Sequence, residues 1–317
     1  MSNRFTIRRF HWWHEVVLAG LLVLVLAGAG WLDPVFLRPR TQLGLSTHVW
    51  ELALIALPMM LVIVTAGIDL SVGSTMALSA VSLGLAYEAG LPVWPAAVVA
   101  LAVGLAAGLL NGLFVAWVGV HPLIVTLATM AAYRGAATGI SQARPISGFP
   151  QPFADTMAGA VLGIPVPGLI FAAAAAVTGV MLWRTPFGRS LYAIGHNDTA
   201  ARFSGLPVAR TRLLLHSLAG LAAGMAAVTY VARRNTAKAD IGFGLELDVI
   251  TAVVLGGTSI FGGRGTLVGT LLGIALIHEV REFVSWQWNR DELVFLVVGA
   301  LLIFSVSLHK FIARKEH

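Results

Sequence analysis

The sequence predicts an all-α protein, a polytopic transmembrane helical bundle of about ten spans with both termini cytoplasmic. Three observations lead there. Of the 317 residues, 57% are hydrophobic and only 11% charged, with a mean hydropathy of +0.84. A soluble domain carries about 25% charged residues, so this chain has too little polar surface to cover a water-soluble core. Apolar runs of roughly 17–25 residues, the length that crosses a bilayer, recur from one end to the other. Tryptophans fall near the ends of those runs (Trp12, Trp13, Trp31, Trp50, Trp94, Trp117, Trp183, Trp286 and Trp288), where an amphipathic indole belongs at a membrane interface.

The runs lie at 15–32, 46–66, 70–89, 93–118, 122–141, 161–183, 212–232, 246–261, 266–284 and 291–309. The first follows Arg4, Arg8 and Arg9 and ends in Ala27-Gly28-Ala29, the pattern of a signal-peptidase site. Because many equally apolar runs follow, it reads as an anchor span instead. The third and eighth runs begin beside glycine and polar residues and are candidates for broken or re-entrant helices. One bundle can use the whole chain, so 1–317 reads as a single domain, with a short N-terminal arm over about 1–14 and a polar loop over about 184–212.

Orientation follows from the basic residues. The arm carries Arg4, Arg8 and Arg9, the tail Lys310, Arg314 and Lys315, and the loop Arg184, Arg189, Arg202, Arg210 and Arg212. Six spans before the loop and four after it put all three in the cytoplasm. The formal charge of +6 is then a matter of topology and lipid headgroups rather than of nucleic acid. The chain has no cysteine, which excludes disulfides, thiolate nucleophiles and cysteine-based metal sites.

Glycines at four-residue spacing (Gly104, Gly108 and Gly112; Gly220 and Gly224; Gly265, Gly269 and Gly273) predict helices in close backbone contact. Two polar, glycine-rich interruptions, Gly67 to Ser74 and Gly256 to Gly263, occupy corresponding positions of two halves. Paired interruptions of this kind suggest an inverted repeat and a transport pathway.

The loop is the most informative stretch. Within Gly195-His196-Asn197-Asp198-Thr199-Ala200-Ala201-Arg202-Phe203-Ser204-Gly205-Leu206-Pro207, Asn197 or Asp198 can cap a helix start. Ala200, Ala201 and Arg202 propagate the helix. Gly205 suits the left-handed position after the last turn, and Pro207 stops continuation. A helix of about two turns does not persist alone in water and needs a surface. Either it packs on its own bundle as a connector, or it docks on a cytoplasmic partner through Ala200, Ala201 and Ser204, with Phe203 as anchor and Arg202 facing acids at the rim.

This loop resembles the coupling loop of the ribose-type permease family of ATP-binding-cassette importers. The family pattern, Gly-x-Asn followed by Ala-Ala and then Ser-Gly, is matched by Gly195, Asn197, Ala200, Ala201, Ser204 and Gly205. Gly67 to Ser74 is similar to the family's Gly-Ile-Asp-Leu-Ser-Val-Gly motif, and Leu245 to Gly273 to its C-terminal signature. The resemblance implies a bacterial inner-membrane permease that binds no cofactor itself. It implies a second permease subunit, homo- or heterodimeric, and a cytoplasmic ATP-binding subunit holding ATP and magnesium. A periplasmic binding protein would deliver a small sugar of the ribose, xylose, rhamnose or autoinducer 2 class. Consistent with this, the only lysines are Lys238, Lys310 and Lys315, none after a glycine, so there is no Walker-type phosphate loop.

Further candidates are the polar residues within spans. Asp69 either caps the third span or, with Ser71 and Ser74, shapes a gate. Arg134, in the fifth span, needs an acid or broken-helix carbonyls, or else lines the pathway. Asn111 is a helix–helix hydrogen bonder or a pathway residue. Arg233, Arg234 and Lys238 fall outside against the orientation rule, which suits docking of an acidic binding-protein surface. His278, Glu279 and Glu282 have helical spacing but lack a convincing metal-ligand pattern. A branched-chain amino-acid permease and a stand-alone ion-coupled carrier are the alternatives. A membrane enzyme would need convergent catalytic groups that the sequence does not display.

Overall fold

The computed structural model describes residues 13–161, 163–288, 290, 292–294, 296–301 and 303. The N-terminal arginines, Trp12, the basic tail and much of the last expected span lie outside the described residues.

The chain is built of helices: α1 (Trp13–Leu32), α2 (Pro39–Leu45), α3 (Trp50–Val64), α4 (Val72–Glu88), α5 (Val93–Leu113), α6 (Pro122–Ser141), α7 (Gln151–Ala158), α8 (Val166–Arg184), α9 (Pro186–His196), α10 (Asp198–Phe203), α11 (Val208–Arg234), α12 (Leu245–Leu255) and α13 (Leu267–Trp288). A shorter apolar helix, α14, covers Glu292–Leu301. Among the described residues five helices are long and apolar enough to cross a membrane, or six if the bent pair α2–α3 is one span.

Depth in the bundle follows composition. α3 is apolar from Leu52 to Val64, and every residue from Glu51 to Val64 is buried. It forms the axis of the molecule, with α8, α11, α12 and α13 packed around it. α1, equally apolar, buries only Leu18 and Ala29. Both patterns satisfy an apolar helix, since lipid and protein interior are alike to an aliphatic side chain. Trp31, Trp117 and Trp183 are 85%, 69% and 63% exposed at helix ends, as the interfacial reading expects.

α11 runs antiparallel along α5 on the glycine stripes. A Cβ on Gly220 would lie 2.7 Å from the Cα of Gly108, and one on Gly108 would lie 2.9 Å from the Cα of Gly220. The two backbones touch, which only glycine permits.

Several sequence-based bounds are corrected. The sixth run starts at Val166 because the residues ahead of it pair as two short antiparallel strands, β2 (Ala160–Val161) on β3 (Ile164–Pro165). The eighth run holds a helix of only 11 residues, α12; the chain from Gly256 to Thr266 is irregular. At 1.5 Å per residue α12 is about 16 Å long, half a bilayer core. The polar stretch 184–212 contains not one helix but α9 and α10, with α11 starting already at Val208. Outside the long helices, β1 (Ile146–Ser147) pairs antiparallel with β4 (Thr236–Ala237), tying the segment after α6 to that after α11.

Candidate functional site

α10 forms as its sequence dictates. The Asn197 side chain accepts a hydrogen bond from the Ala200 amide at 2.9 Å, so Asn197 rather than Asp198 is the cap. At the other end Gly205 takes φ +80°. The Leu206 amide donates to the Ala201 carbonyl at 3.0 Å and the Gly205 amide to that of Arg202 at 3.0 Å, which closes the helix with a left-handed turn.

The helix has two faces. Ala201, 4% exposed, packs inward with Ile194, Leu206 and Val208. This corrects the expectation that Ala201 belongs to a docking face: it holds the helix to its own bundle. Arg202 is occupied as well, donating to Asp198 at 3.0 Å, while Arg212 reaches the other Asp198 oxygen at 3.2 Å. Facing outward are Ala200, Ser204 and Phe203, the last 89% exposed. Phe203 thus presents an uncovered ring at this end, as Phe261 does at 86% exposed.

α9, which the sequence reading missed, positions α10. Its signal is Thr185-Pro186: the Thr185 hydroxyl accepts from the Gly188 amide at 3.1 Å, and Pro186 occupies the first turn. Leu191 and Ile194 form its buried face. Its C-terminus meets the end of α3 and the second glycine-rich interruption. The Gly263 amide donates to the Val64 carbonyl at 2.8 Å. A Cβ on Gly195 would lie 2.5 Å from the Gly263 nitrogen and still closer to the Val64 oxygen. The Tyr192 hydroxyl donates to the Gly265 carbonyl at 3.0 Å. The end of α3, just ahead of the first interruption, and the end of the second, remote in sequence, therefore meet at the residue that begins the Gly-x-Asn pattern. α1 starts at the same end, with His14 at 3.0 Å from the Leu255 carbonyl and the Thr266 hydroxyl donating to Glu15 at 2.9 Å.

The first interruption is satisfied internally. Asp69 accepts from the Ser71 amide at 2.9 Å and hydroxyl at 2.6 Å, which makes it the hinge of a turn rather than a cap on α4. Asn111 on α5 donates to the Ser71 hydroxyl at 2.8 Å, and the Tyr133 hydroxyl on α6 donates to the Ala107 carbonyl of α5 at 2.9 Å, with the Asn111 amide oxygen 3.3 Å away. Ser74 donates to the Ser71 carbonyl. Asp69, Ser71, Ser74 and Asn111 are each at most 1% exposed. The groups expected to shape a gate or pathway instead satisfy one another and cross-link α4, α5 and α6 in this structure. Tyr133 was not anticipated; a tyrosine in an apolar run carries no periodic signal.

Arg134 is half-buried, and its guanidinium donates to the Ala239 and Ile241 carbonyls at 2.5 and 2.7 Å, which belong to the irregular segment between β4 and α12 rather than to a broken helix. Arg134→Leu is expected to remove two charge-assisted bonds and destabilise the protein by about 2–4 kcal/mol, read as a lower melting temperature in detergent. Arg134→Lys, able to reach one carbonyl, should recover part of the loss.

At the far end of α11, about 40 Å from α10 by helix length, lies a charged cavity of about 390 Å³. Arg233 donates to Glu51 at 2.9 Å, with both side chains about nine-tenths buried. Arg281 pairs with Asp248. Arg233 is thus turned inward, against the expectation that it joins a docking surface; Arg234 and Lys238 are exposed. His278 and Glu282 line the cavity, and among the described residues no group of three acids or histidines could hold a metal ion. Near this end the Trp286 indole donates to Asp33 at 2.8 Å and holds that carboxyl below its usual range. Glu51 and Asp248 were missed; their signal was an acid at the margin of an apolar run.

Residues 43–306 match the family described as branched-chain amino acid transport system, permease component. Similar over almost their full lengths are three proteins called autoinducer 2 import system permease protein LsrD. The one from Yersinia enterocolitica is 38% identical over 96% of this chain and 94% of its own. Those from Photorhabdus temperata and Yersinia pseudotuberculosis are 36% and 35% identical over the same shares. An apolar helical bundle with a short capped helix at one end and a charged cavity at the other is thus joined by end-to-end likeness, and the chain belongs to this family of multi-pass membrane transport permeases.

Proposed function

We propose that the chain is the pore-forming subunit of an ATP-driven importer in a bacterial inner membrane, moving a small sugar-like molecule of the autoinducer 2 kind by alternating access. The observation that carries the coupling is α10, capped at both ends, fixed inward through Ala201 and leaving Phe203 uncovered. A separate ATP-binding subunit, which holds ATP and magnesium, would seat Phe203 in an apolar groove beside Ala200 and Ser204. The relatives' printed names supply the cargo class. The family description's amino acids are the alternative.

In this reading α10 and the start of α1 face the cytoplasm, and ten crossings bring the tail back to the same side, with α12 as a half-span. Two such subunits, alike or different, enclose the pore. A periplasmic binding protein docks at the opposite end, where exposed Arg234 and Lys238 steer its acidic groups. ATP-driven closure of the ATPases pushes on α10. α9 passes that displacement to Val64, at the end of α3 ahead of the first interruption, and to Gly263, at the end of the second, where helices can shift relative to one another. Cargo selectivity rests mainly on the binding protein, since tight binding inside the pore would slow release.

Proteoliposomes containing this chain, its permease partner, the ATPase and the binding protein test the proposal. ATP-dependent uptake of labelled autoinducer 2, with no uptake of leucine, is expected. Leucine uptake would restore the amino-acid alternative, and uptake without the ATPase would make the chain an ion-coupled carrier. Phe203→Ala should lower ATP-driven uptake by about tenfold or more, corresponding to about 1.4 kcal/mol or more of lost docking energy, while leaving thermal stability unchanged.

A further inference from the structure

We infer that the loop from Ser259 to Arg264, inside the second interruption, is a further contact surface for the ATP-binding subunit, with Phe261 as its apolar anchor beside Phe203. The inference deepens the proposed function and rests on its orientation, in which α10 faces that subunit.

The loop is built to hold its apex still. The Ser259 amide donates to the Arg264 carbonyl at 3.0 Å, and the Gly262 amide donates to the Ser259 carbonyl at 2.9 Å. The Ser259 hydroxyl accepts from the Phe261 amide at 3.3 Å, and Ser259 itself is buried. Gly262 and Gly263 take φ +83° and +74°, which turns the chain back after Phe261. The Phe261 ring therefore stands 86% exposed on a preformed support. An aromatic held this way loses little freedom when a partner covers it, which is what a binding anchor requires.

Lipid does not suit as the cover. Residues 256–266 are irregular, and such chain does not lie against hydrocarbon because its backbone groups would go unpaired. The surroundings are those of α10. A Cβ on Gly263 would lie 3.2 Å from the Cα of His196, and His196 leads directly into the Asn197 cap. Along that path the Cα atoms of Phe261 and Phe203 are at most about 27 Å apart. An ordinary interface covers about 800 Å² of each partner, a patch about 30 Å across, so one partner spans both rings. Charge agrees with this. Arg184, Arg189 and Arg210 are exposed on the flanking helices, while the acid of α10, Asp198, is held by Arg202 and Arg212. A partner seated here meets net positive charge and fits best with acids at its rim. Gripping both rings, it would hold α10 and the second interruption on either side of Gly195, so its closure would act on both.

The chain has no cysteine, so a single cysteine reports its own position. Phe203→Cys and Phe261→Cys would be placed with the permease partner in lipid nanodiscs and treated with a charged, water-soluble thiol reagent. Both should react readily. The ATP-binding subunit at saturating concentration should slow both reactions about tenfold or more, and albumin at equal concentration should not. Phe261→Ala should weaken binding of the ATP-binding subunit about tenfold with an unchanged melting temperature, and Phe261→Trp should restore most of that affinity. A cysteine at 261 that reacts equally with and without the subunit, is slowed as much by albumin, or is unreactive before the subunit is added overturns the inference, as does unchanged affinity in Phe261→Ala. Protection at 203 without protection at 261 sinks the second contact alone, whereas protection at neither sinks the functional reading beneath it.

Discussion

Gly195→Ala is expected to reduce ATP-dependent uptake to below about a tenth and to lower the melting temperature of the purified protein. The added carbon would stand 2.5 Å from the Gly263 nitrogen and closer still to the Val64 oxygen. Both are backbone atoms, and they are bonded to each other at 2.8 Å, so no side-chain rotation relieves the overlap. Overpacking costs about 1–3 kcal/mol, and the strained amide-to-carbonyl bond adds about 1 kcal/mol. The functional loss should exceed the stability loss, because the same junction joins α10 to the end of α3 and to the second interruption. Gly139→Ala, on a helix with nothing within 4 Å, is the control: uptake should be unchanged and stability unchanged or raised by up to about 1 kcal/mol. Unaltered stability and uptake in Gly195→Ala would mean that α9 does not bear on the second interruption, and the route of coupling would have to be sought elsewhere.

The second large effect is expected on the α5–α11 seam. Gly220→Leu should fail to accumulate in the membrane, since its side chain would enter the backbone of α5 at Gly104 and Gly108. Gly220→Ala and Gly108→Ala should each cost about 1–3 kcal/mol. Combined, they should cost less than their sum, because one outward shift of α11 accommodates both carbons. Thermal melts of the two single variants and the double variant measure the coupling. Strict additivity would show that the helices are not held at backbone contact.

The places where sequence reasoning worked and where it stopped have physical causes. The long apolar helices were legible from run length, and α10 was legible residue by residue: Asn197, Ala201, Gly205 and Leu206 act within one or two turns of chain. α9 is harder to read, although Thr185 and Pro186 announce it, because a polar amphipathic helix between two spans has the composition of a loop. The eighth run was drawn too long because Gly256 to Phe261 keeps apolar neighbours while its backbone leaves the helix. Asp69 reads in sequence as a cap on α4 or part of a gate, and Asn111 as a helix–helix hydrogen bonder or pathway residue. That their partners are Ser71 and Tyr133, and that all but Tyr133 are almost wholly enclosed, depends on how α4, α5 and α6 cross.

By itself the sequence determined the membrane environment, most of the helices and the capped α10. Those follow from hydropathy, helix length and hydrogen bonds between near neighbours. The tertiary structure alone decided that Gly195 joins the end of α3 to the second interruption, far apart in the chain, and that Arg233 finds Glu51 across 182 positions and Arg281 finds Asp248 across 33. In a bilayer an apolar face is equally content against lipid or protein, so periodicity does not say which faces meet. Only close backbone packing and buried polar pairing choose among the arrangements.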